Sequence, residues 1–321
     1  MYESFYGLKE KPFSIQPDPD FLFWGRAHSM AFAMLEYGIM NRAGFTVITG
    51  EIGCGKTTLI RHLLNKLDED ITVGLISNTQ ENSGELLHWV LLAFDQTFED
   101  KPHVALFDQL QNFLIDQYSK GKRTILIVDE AQNLGAKALE ELRMLSNINA
   151  DKHQLLQLVL VGQPQLKELL QRPELVQFAQ RIASDFHLRA LSDEEVENYI
   201  ACRLEVAGAD RNMFTPQACL KVSSASRGIP RLINIICDTA LVYGFSSEAE
   251  EIDEKIIDDV IKDKSEFGIF SFNGPTSTKV EKPPKIEVSD DENGPALVVR
   301  DKELAKFLLS RALEASKKLP T

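Results

Sequence analysis

The chain has 321 residues and carries 48 acidic against 35 basic side chains, a net charge of −13 at pH 7. This length corresponds to about two domains, and the ordinary share of apolar residues excludes a disulfide scaffold, a collagen or a fully disordered chain. No run of 18 apolar residues occurs, so no membrane-spanning helix is expected. Since the first residues lack the pattern of a signal peptide, we expect the protein in the cytoplasm.

The negative charge is concentrated in residues 1–263, which hold 25 basic and 39 acidic side chains. A net charge of −14 in this part disfavours coating of the phosphate backbone, so nucleic acid is an unfavoured partner that a local basic patch would still permit. Four cysteines form no CxxC pair and no histidine lies at zinc-ligand spacing, so we expect reduced, mostly buried thiols.

Strands and helices alternate along the first part of the chain, after an aromatic and proline-rich strap (residues 1–25) that we expect to pack on a core. This alternation predicts βαβ crossovers and a parallel sheet covered on both faces, an α/β fold. The predicted elements are helix 28–42, strand 45–49, helix 56–67, strand 72–77, helices 83–98 and 104–119, strand 124–128, helix 135–147, strand 155–161, helices across 164–182 and strand 186–188.

Helices alone follow residue 191 and form a predicted lid domain. Ser192 and Glu195 make a capping box, Thr215-Pro216 is an N-cap followed by proline, Pro230 starts a third helix and Asp253 caps a fourth. The predicted division is therefore 1–190 for the α/β domain with its strap, 191–264 for the lid, 265–296 for a flexible linker and 297–321 for an amphipathic helix.

A phosphate-binding loop is the strongest signal in the sequence. The run from Gly50 to Thr57 matches G-x-x-x-x-G-K-[ST] between a predicted strand and a predicted helix. Its backbone N–H groups favour phosphate, Lys56 is expected on the β- and γ-phosphates, and Thr57 on Mg²⁺. The predicted nucleotide contacts are Gly50, Glu51, Ile52, Gly53, Cys54, Gly55, Lys56, Thr57 and Thr58.

A second motif completes this prediction. The apolar run Ile125–Val128 leads into Asp129 and Glu130, 72 residues after Lys56. Asp129 is expected in the Mg²⁺ shell, and Glu130 is the candidate that polarises the attacking water. The alternative for Glu130 is a helix-capping carboxylate.

A P-loop α/β domain followed by a four-helix lid resembles the AAA+ ATPases. More narrowly, the chain resembles the general secretion pathway A ATPases of the ExeA type over about residues 1–263. The segments that carry this resemblance are Phe5-Tyr6-Gly7-Leu8-Lys9-Glu10-Lys11-Pro12-Phe13, Pro17-Asp18-Pro19, Asp129-Glu130-Ala131-Gln132, Val161-Gly162-Gln163-Pro164 and Gly228-Ile229-Pro230-Arg231.

The resemblance implies roles for three further side chains. Arg231 matches the lid arginine that contacts the γ-phosphate, although a solvated helix cap is the alternative. Arg181 matches the arginine finger that reaches a neighbouring subunit, with Arg172 or an ordinary salt bridge as alternatives. Gln163 falls at the sensor-1 position, where the family usually carries Asn, Ser or Thr.

Other residues near the motifs have two interpretations each. Asn78 either restrains Glu130 or is a surface asparagine. Arg26 and His28 either flank the adenine or pack in the core. Cys54 either offers an oxidation site in the loop or simply fills space.

The sequence therefore predicts Mg²⁺-dependent ATP hydrolysis by a self-associating enzyme that drives assembly or remodelling of a secretion, pilus or polysaccharide-export system at the cell envelope. The process assignment follows from the resemblance alone. The alternative is a DNA-dependent regulatory ATPase of the transposition or replication-initiation kind. The terminal helix is expected to dock on a partner, on the inner membrane peripherally, or on its own body.

Overall fold

A computed structural model describes residues 1–77, 86–98, 101–150, 153–267, 287–291 and 294–298. Its strands are β1 (Phe45–Gly50), β2 (Ile71–Ile76), β3 (Arg123–Val128), β4 (Asn149–Ala150), β5 (His153–Gln154), β6 (Leu156–Gly162), β7 (Ile182–Leu188), β8 (Glu287–Asp291) and β9 (Gly294–Val298). Its α-helices are α1 (Tyr2–Phe5), α2 (Arg26–Met40), α3 (Lys56–Lys66), α4 (Leu86–Ala93), α5 (His103–Ser119), α6 (Gly135–Leu145), α7 (Pro164–Leu170), α8 (Val176–Ala179), α9 (Asp193–Val206), α10 (Pro216–Ser226), α11 (Pro230–Ser246) and α12 (Glu254–Phe267).

Five parallel strands form the central sheet in the order β2-β3-β6-β1-β7. The strands β1, β3 and β6 are buried on both faces because helices cover both. Helices α4 to α8 pack on one face around Leu110 and Leu142, and α2 and α3 pack on the other around Leu35 and Leu59. The predicted α/β fold is confirmed.

The lid follows the sheet and consists of α9 to α12. Ser192 Oγ accepts from the Glu195 N–H while Glu195 caps the Ser192 N–H, so the predicted capping box forms. Thr215 caps α10, and Pro230 starts α11. Local capping chemistry thus sets where the first three lid helices begin.

The strap packs on the core, with Phe13 and Phe21 buried, and it contacts two parts of the protein. Its first part lies on the lid, because the Tyr2 hydroxyl donates to Asp238, the Tyr6 hydroxyl donates to the Ala249 carbonyl, and the Phe13 ring meets Phe214 edge-on. Its later part crosses to the α/β layers, where Pro17 O accepts from Arg61 at 2.7 Å and the Trp24 ring contacts Phe32. The strap therefore connects the lid with the sheet.

One strand prediction was too short. The fifth strand runs over Ile182–Leu188 rather than 186–188, so the helical region predicted up to 182 ends earlier, at Ala179. The side chains of this edge strand alternate between buried and exposed, which hides it from a search for apolar runs.

The C-terminal prediction also differs from the structure. The last lid helix continues to Phe267, past the predicted lid boundary at 264, and residues 1–267 form one compact unit with residues 268–321 as another. Within the second unit β8 and β9 pair antiparallel where a flexible linker was predicted. The predicted terminal helix begins inside β9, and the rest of it lies outside the described residues. Across the described part of the chain, none of the helices combines the length and apolarity needed to cross a membrane.

Candidate nucleotide-binding site

The phosphate-binding loop connects the end of β1 with the start of α3. Gly53 and Gly55 have φ angles of +83° and +94°, which other residues adopt only with strain. This conformation turns the chain sharply and leaves the first-turn N–H groups of α3 facing outward without partners inside the helix. The loop is therefore built to hold an anion at a helix N-terminus.

Lys56 is the first residue of α3 and lies almost entirely buried. Its ammonium group donates to the carbonyl oxygens of Gly50 at 2.8 Å and Glu51 at 3.0 Å. The ammonium group of Lys56 therefore lies at the opening of the loop and adds a positive charge to the anion site formed by the N–H groups.

Thr57, in the first turn of α3, and Asp129, directly after β3, meet at the carboxyl edge of the sheet. The Thr57 hydroxyl donates to Asp129 Oδ2 at 2.9 Å. Hydroxyl and carboxylate oxygens are ligands that Mg²⁺ prefers, and this ion takes its other ligands from phosphate and water. The two residues fit such an ion, although the described residues contain no cluster of three or more His, Cys, Asp or Glu suited to a metal.

Glu130 lies in a ring of hydrogen bonds that joins two loops. Its Oε2 accepts from Gln132 Nε2 at 2.6 Å and from Gln163 Nε2 at 2.9 Å, while Gln132 Oε1 accepts from the Gln163 N–H at 2.9 Å. Gly162 permits this approach, since a Cβ there would lie 2.8 Å from Gln132 Oε1. The ring aims the carboxylate from the end of β3 toward the end of β6.

The same contacts set the charge state of Glu130. Partial burial would raise the pKa of this carboxyl group, but the hydrogen bonds from Gln163 and Gln132 and the nearby Lys56 charge hold the pKa below its ordinary value. Glu130 is therefore ionised at neutral pH and is positioned to accept a proton or orient water.

The site opens into a cleft of about 220 Å³ between the loop, the strap and the lid. Its phosphate end is lined by Gly53, Gly55, Lys56, Thr57, Thr58, Ile52, Glu130 and Arg231. Its other end is lined by strap residues from Ser14 to Asp18 and from Phe21 to Phe23, and by lid residues. A ligand with an anionic end and a flat, partly apolar end fits these two walls.

Three lid residues of this wall were missed from the sequence: Tyr199, Arg203 and Asn234. Arg203 is buried, donates to the carbonyls of Pro12 and Ser14 and to the Tyr199 hydroxyl, and stacks on Phe21 with its guanidinium 4.6 Å from the ring centre. A spacing of four residues places Tyr199 and Arg203 on one face of α9. That spacing was the one signal in the sequence that could have linked them to the cleft. It was weak, because an arginine in an amphipathic helix usually faces solvent.

His28 lies inside the cleft wall. Its Nε2 must donate to the Cys54 carbonyl, 2.9 Å away, and Nδ1 is buried without a hydrogen-bond partner among the described residues. Burial lowers the pKa of His28, so the ring is neutral at pH 7. Of the predicted pair, His28 lines the cleft, whereas Arg26 does not and instead bonds Glu195 through its backbone N–H.

Cys54 is fully buried in the loop. Burial raises the pKa of its thiol, and a buried, protonated thiol reacts poorly with oxidants. The structure thus favours the space-filling interpretation of Cys54 over an oxidation site.

Arg231 reaches the loop from the lid. Its backbone N–H donates to the Gly53 carbonyl at 3.1 Å, and a Cβ on Gly53 would lie 2.5 Å from the Arg231 Cβ. The start of α11 therefore contacts the phosphate-binding loop directly, with the exposed Arg231 side chain at the cleft.

Arg181 lies elsewhere. It precedes β7 and bonds Asn147 and Ser146, at the amino edge of the sheet. The phosphate end lies at the carboxyl edge, roughly 20 Å away along strands of this length. Arg181 is thus separated from its own phosphate end, and Arg172, which pairs with Glu174 at 3.8 Å, does not line the cleft either. Asn78 lies outside the described residues.

Comparison with known proteins agrees with this geometry. The AAA domain family matches residues 39–170, which include both motifs and the Gln163 loop. The chain is 42% identical over 253 residues to general secretion pathway protein A from Aeromonas hydrophila. The match covers 78% of this chain, which spans about half, 46%, of the length of that relative.

Solved structures share the fold at low sequence identity. The ORC2 protein of Aeropyrum pernix, determined with ADPNP and ADP, superposes with a TM-score of 0.58 at 17% identity over 79% of this chain and 71% of that one. Cdc6p from Pyrobaculum aerophilum gives 0.59 at 15% identity over 77% and 70%. These similarities support the arrangement of sheet and lid.

Proposed function

Because this chain belongs to the AAA+ ATPases of the general secretion pathway protein A type, we propose that it binds ATP with Mg²⁺ in the cleft and hydrolyses it to drive remodelling of a cell-envelope assembly. The observation that carries the proposal is the meeting of Lys56, the Thr57–Asp129 pair and Glu130 at one end of the cleft. A cation, a metal-binding pair and an ionised carboxylate are the groups that phosphoryl transfer to water requires.

In the proposed reaction the triphosphate lies against the N-terminus of α3, with Lys56 on its outer phosphates. Thr57 and Asp129 would hold Mg²⁺, which neutralises charge on the phosphate oxygens when bound. Water attacks the γ-phosphorus while the bond to the bridging oxygen of ADP breaks, and Glu130 accepts the water proton.

Gln163 and Gln132 position this base rather than touch the reacting atoms. They donate two hydrogen bonds to Glu130 Oε2 and so fix the direction of its carboxylate. For Gln163 this contact supports a positioning role at the predicted sensor-1 position.

Two arginines are proposed to complete the site. Arg231 would contact the γ-phosphate from the lid, because α11 already touches the phosphate-binding loop. Arg181 would act in a neighbouring copy, since it lies at the opposite edge of its own sheet. Hydrolysis would then alter both the lid contact and the contact between copies.

The process is proposed from the relative's name: assembly or remodelling at the envelope, with envelope secretion, pilus or polysaccharide-export proteins as partners. ATP is a cytoplasmic fuel, so the site would act on the inner side of the envelope. Association with the inner membrane through the terminal segment belongs to the same proposal.

The first test is Glu130→Gln, with Glu168→Gln on an exposed turn of α7 as the matched control. We expect unchanged ATP affinity and a turnover at least about 100-fold lower for Glu130→Gln, because the base is lost while the phosphate contacts stay. Unchanged turnover would remove Glu130 from the mechanism.

The second test measures turnover with and without duplex DNA at about 50 and 200 mM salt. The proposal is supported if turnover is the same with and without DNA and rises with protein concentration. A several-fold stimulation by DNA that salt abolishes would replace the envelope role with the transposition or replication-initiation role.

A further inference from the structure

A second cleft, of about 480 Å³, lies at the amino edge of the sheet, opposite the nucleotide end. It is formed where α2 and α5 end and where β3 and β6 begin, and its lining includes Arg42, Tyr118, Lys122, Arg123 and His153. Roughly 20 Å of sheet separates it from the phosphate-binding loop. An occupant here would leave the nucleotide cleft of the same copy open.

The cleft concentrates positive charge on a strongly acidic body. Among the described residues that line it, none is a carboxylate and four are basic. Within the described residues, Arg42, Lys122 and His153 form no ion pair, and Arg123 has a distant one, 3.9 Å from Asp70. The carbonyls at the two helix ends offset about one unit of charge at most, so the cleft keeps an excess of donors for an anion.

Arg42 occupies a position that favours glycine. It follows the C-terminus of α2 with φ at +55°, a left-handed conformation that strains an arginine and suits glycine. The side chain therefore brings a cation to the cleft at a cost in stability. Glycine at this position would give a more stable fold.

His153 extends the donor set. Arg42 NH1 lies 3.2 Å from His153 Nδ1, and because a guanidinium only donates, Nδ1 accepts and the ring hydrogen is on Nε2. The Tyr118 ring lies against the His153 ring, with centroids 5.9 Å apart. An anion thus meets a guanidinium, an ammonium and a ring N–H beside an aromatic wall.

Exposed apolar side chains lie on the ends of the two helices that border the cleft. Met40 is 76% exposed and Tyr37 is 58% exposed on the last turns of α2, and Ile115 and Tyr118 are exposed on the last turns of α5. Cations mixed with exposed tyrosine, methionine and isoleucine are typical of a surface that enters the interface of a bilayer. A soluble anion would need only the cations.

We propose that this edge of the sheet docks on a membrane, with the phosphate of an anionic lipid headgroup in the cleft between Arg42, Lys122, Arg123 and His153. The exposed apolar side chains at the ends of α2 and α5 then lie among the headgroups. The local excess of cations overcomes the repulsion that the acidic body experiences from an anionic surface. This binding is independent of nucleotide hydrolysis.

The test compares Arg42→Gly with Arg227→Gly in the full chain. Arg227 is an exposed arginine at the C-terminus of α10 with φ at +53°, so both variants lose one charge and relieve the same strain. Binding is measured by co-sedimentation with vesicles of phosphatidylcholine and phosphatidylglycerol, with phosphatidylcholine alone as reference. We expect about fivefold weaker binding for Arg42→Gly and about 25-fold for Arg42→Gly with Lys122→Gln, against less than about twofold for Arg227→Gly.

Thermal unfolding and ATP turnover without vesicles keep the comparison interpretable. Both glycine variants should be as stable as the parent or more so, with unchanged turnover. Equal vesicle binding by the two variants, or equal binding to neutral and anionic vesicles, would overturn the proposal. Binding of inorganic phosphate or duplex DNA that depends on Arg42, with vesicle binding that does not, would overturn it as well and assign the cleft to that ligand.

Discussion

Glu130 has φ and ψ of 53° and 37°, a left-handed conformation that costs a non-glycine residue roughly 1–2 kcal/mol. The hydrogen bonds from Gln132 and Gln163 offset this cost and keep the carboxylate at the end of the cleft. Strain held in place by surrounding bonds is common at functional sites. At the scale of single residues, the site therefore depends on side chains that hold Glu130 as much as on Glu130 itself.

Replacing Gln163 with Ala should separate positioning from binding. We expect kcat to fall about tenfold with an ATP dissociation constant within about twofold of the parent, because the base loses one of its donors while the phosphate-binding loop is intact. Steady-state kinetics and ATP titration measure the two quantities. An equal loss of affinity would mean that Gln163 contacts the nucleotide directly.

His28 predicts a pH dependence of stability. Burial lowers its pKa in the folded chain below the ordinary value of 6.5, so the unfolded chain takes up a proton first as the pH falls below 6.5. The contribution of neutral His28 to the unfolding free energy is fully present above pH 6.5 and is lost progressively below it. His62, whose pKa burial and Lys66 also lower, acts with the same sign.

We therefore expect the unfolding free energy to decrease between pH 7.5 and 5.5, and to decrease less in His28→Gln. Urea unfolding at both pH values measures this difference. His103→Gln, at an exposed histidine, is the control for the substitution itself. An identical slope in His28→Gln and the parent would contradict the assignment.

The strap and the lid act together at the scale of elements. Residues from Tyr2 to Ser14 are bound to α9, α11 and the segment after α11, while Pro17 and Trp24 contact the α/β layers. The strap lines the cleft at the point where it passes from the lid to the α/β layers. A movement of the lid would therefore carry part of the nucleotide pocket with it.

Arg203 holds this connection. Arg203→Ala would leave the Pro12 carbonyl without its buried donor and the Ser14 carbonyl with Asn234 alone. We therefore expect a loss of about 3 kcal/mol in unfolding free energy and weaker ATP binding. Urea unfolding and ATP titration measure these effects. Arg211→Ala, which removes an exposed ion pair with Glu250, should cost less than about 1 kcal/mol. Similar small losses in both variants would show that the strap is not held by Arg203.

Assembly is the question at the scale of the whole molecule. Arg181 lies at the amino edge of its sheet beside Asn147, and Glu130 lies at the carboxyl edge. One copy cannot bring these two groups together without unfolding its sheet. Any joint action therefore requires a second copy.

Mixing two inactive variants tests this arrangement. Arg181→Ala and Glu130→Gln should each have low turnover, and an equimolar mixture should recover about a quarter of the parent activity, because a copy with an intact Glu130 then meets a neighbour with an intact Arg181. Arg172→Ala is the matched control and should be active alone. A mixture no more active than its components would place Arg181 outside the reaction.

Local patterns in the sequence determined much of this protein. The P-loop, the strand ending at Asp129 and the starts of α9, α10 and α11 follow from motif spacing, apolar runs and capping residues, which act over a few positions along the chain. These features predicted the fold class and the phosphate end of the site. Where local patterning is ambiguous, as in the alternating strand β7, the prediction was too short.

Only the tertiary structure decided the contacts between distant segments. Gln163 is 33 residues from Glu130, Arg203 is 191 residues from Pro12, and Arg42 is 111 residues from His153. Such pairs depend on how whole elements pack, and no periodicity along the chain records them. The local distribution of charge also depends on the tertiary structure. A chain with an excess of 13 acidic groups still brings four basic residues to one cleft.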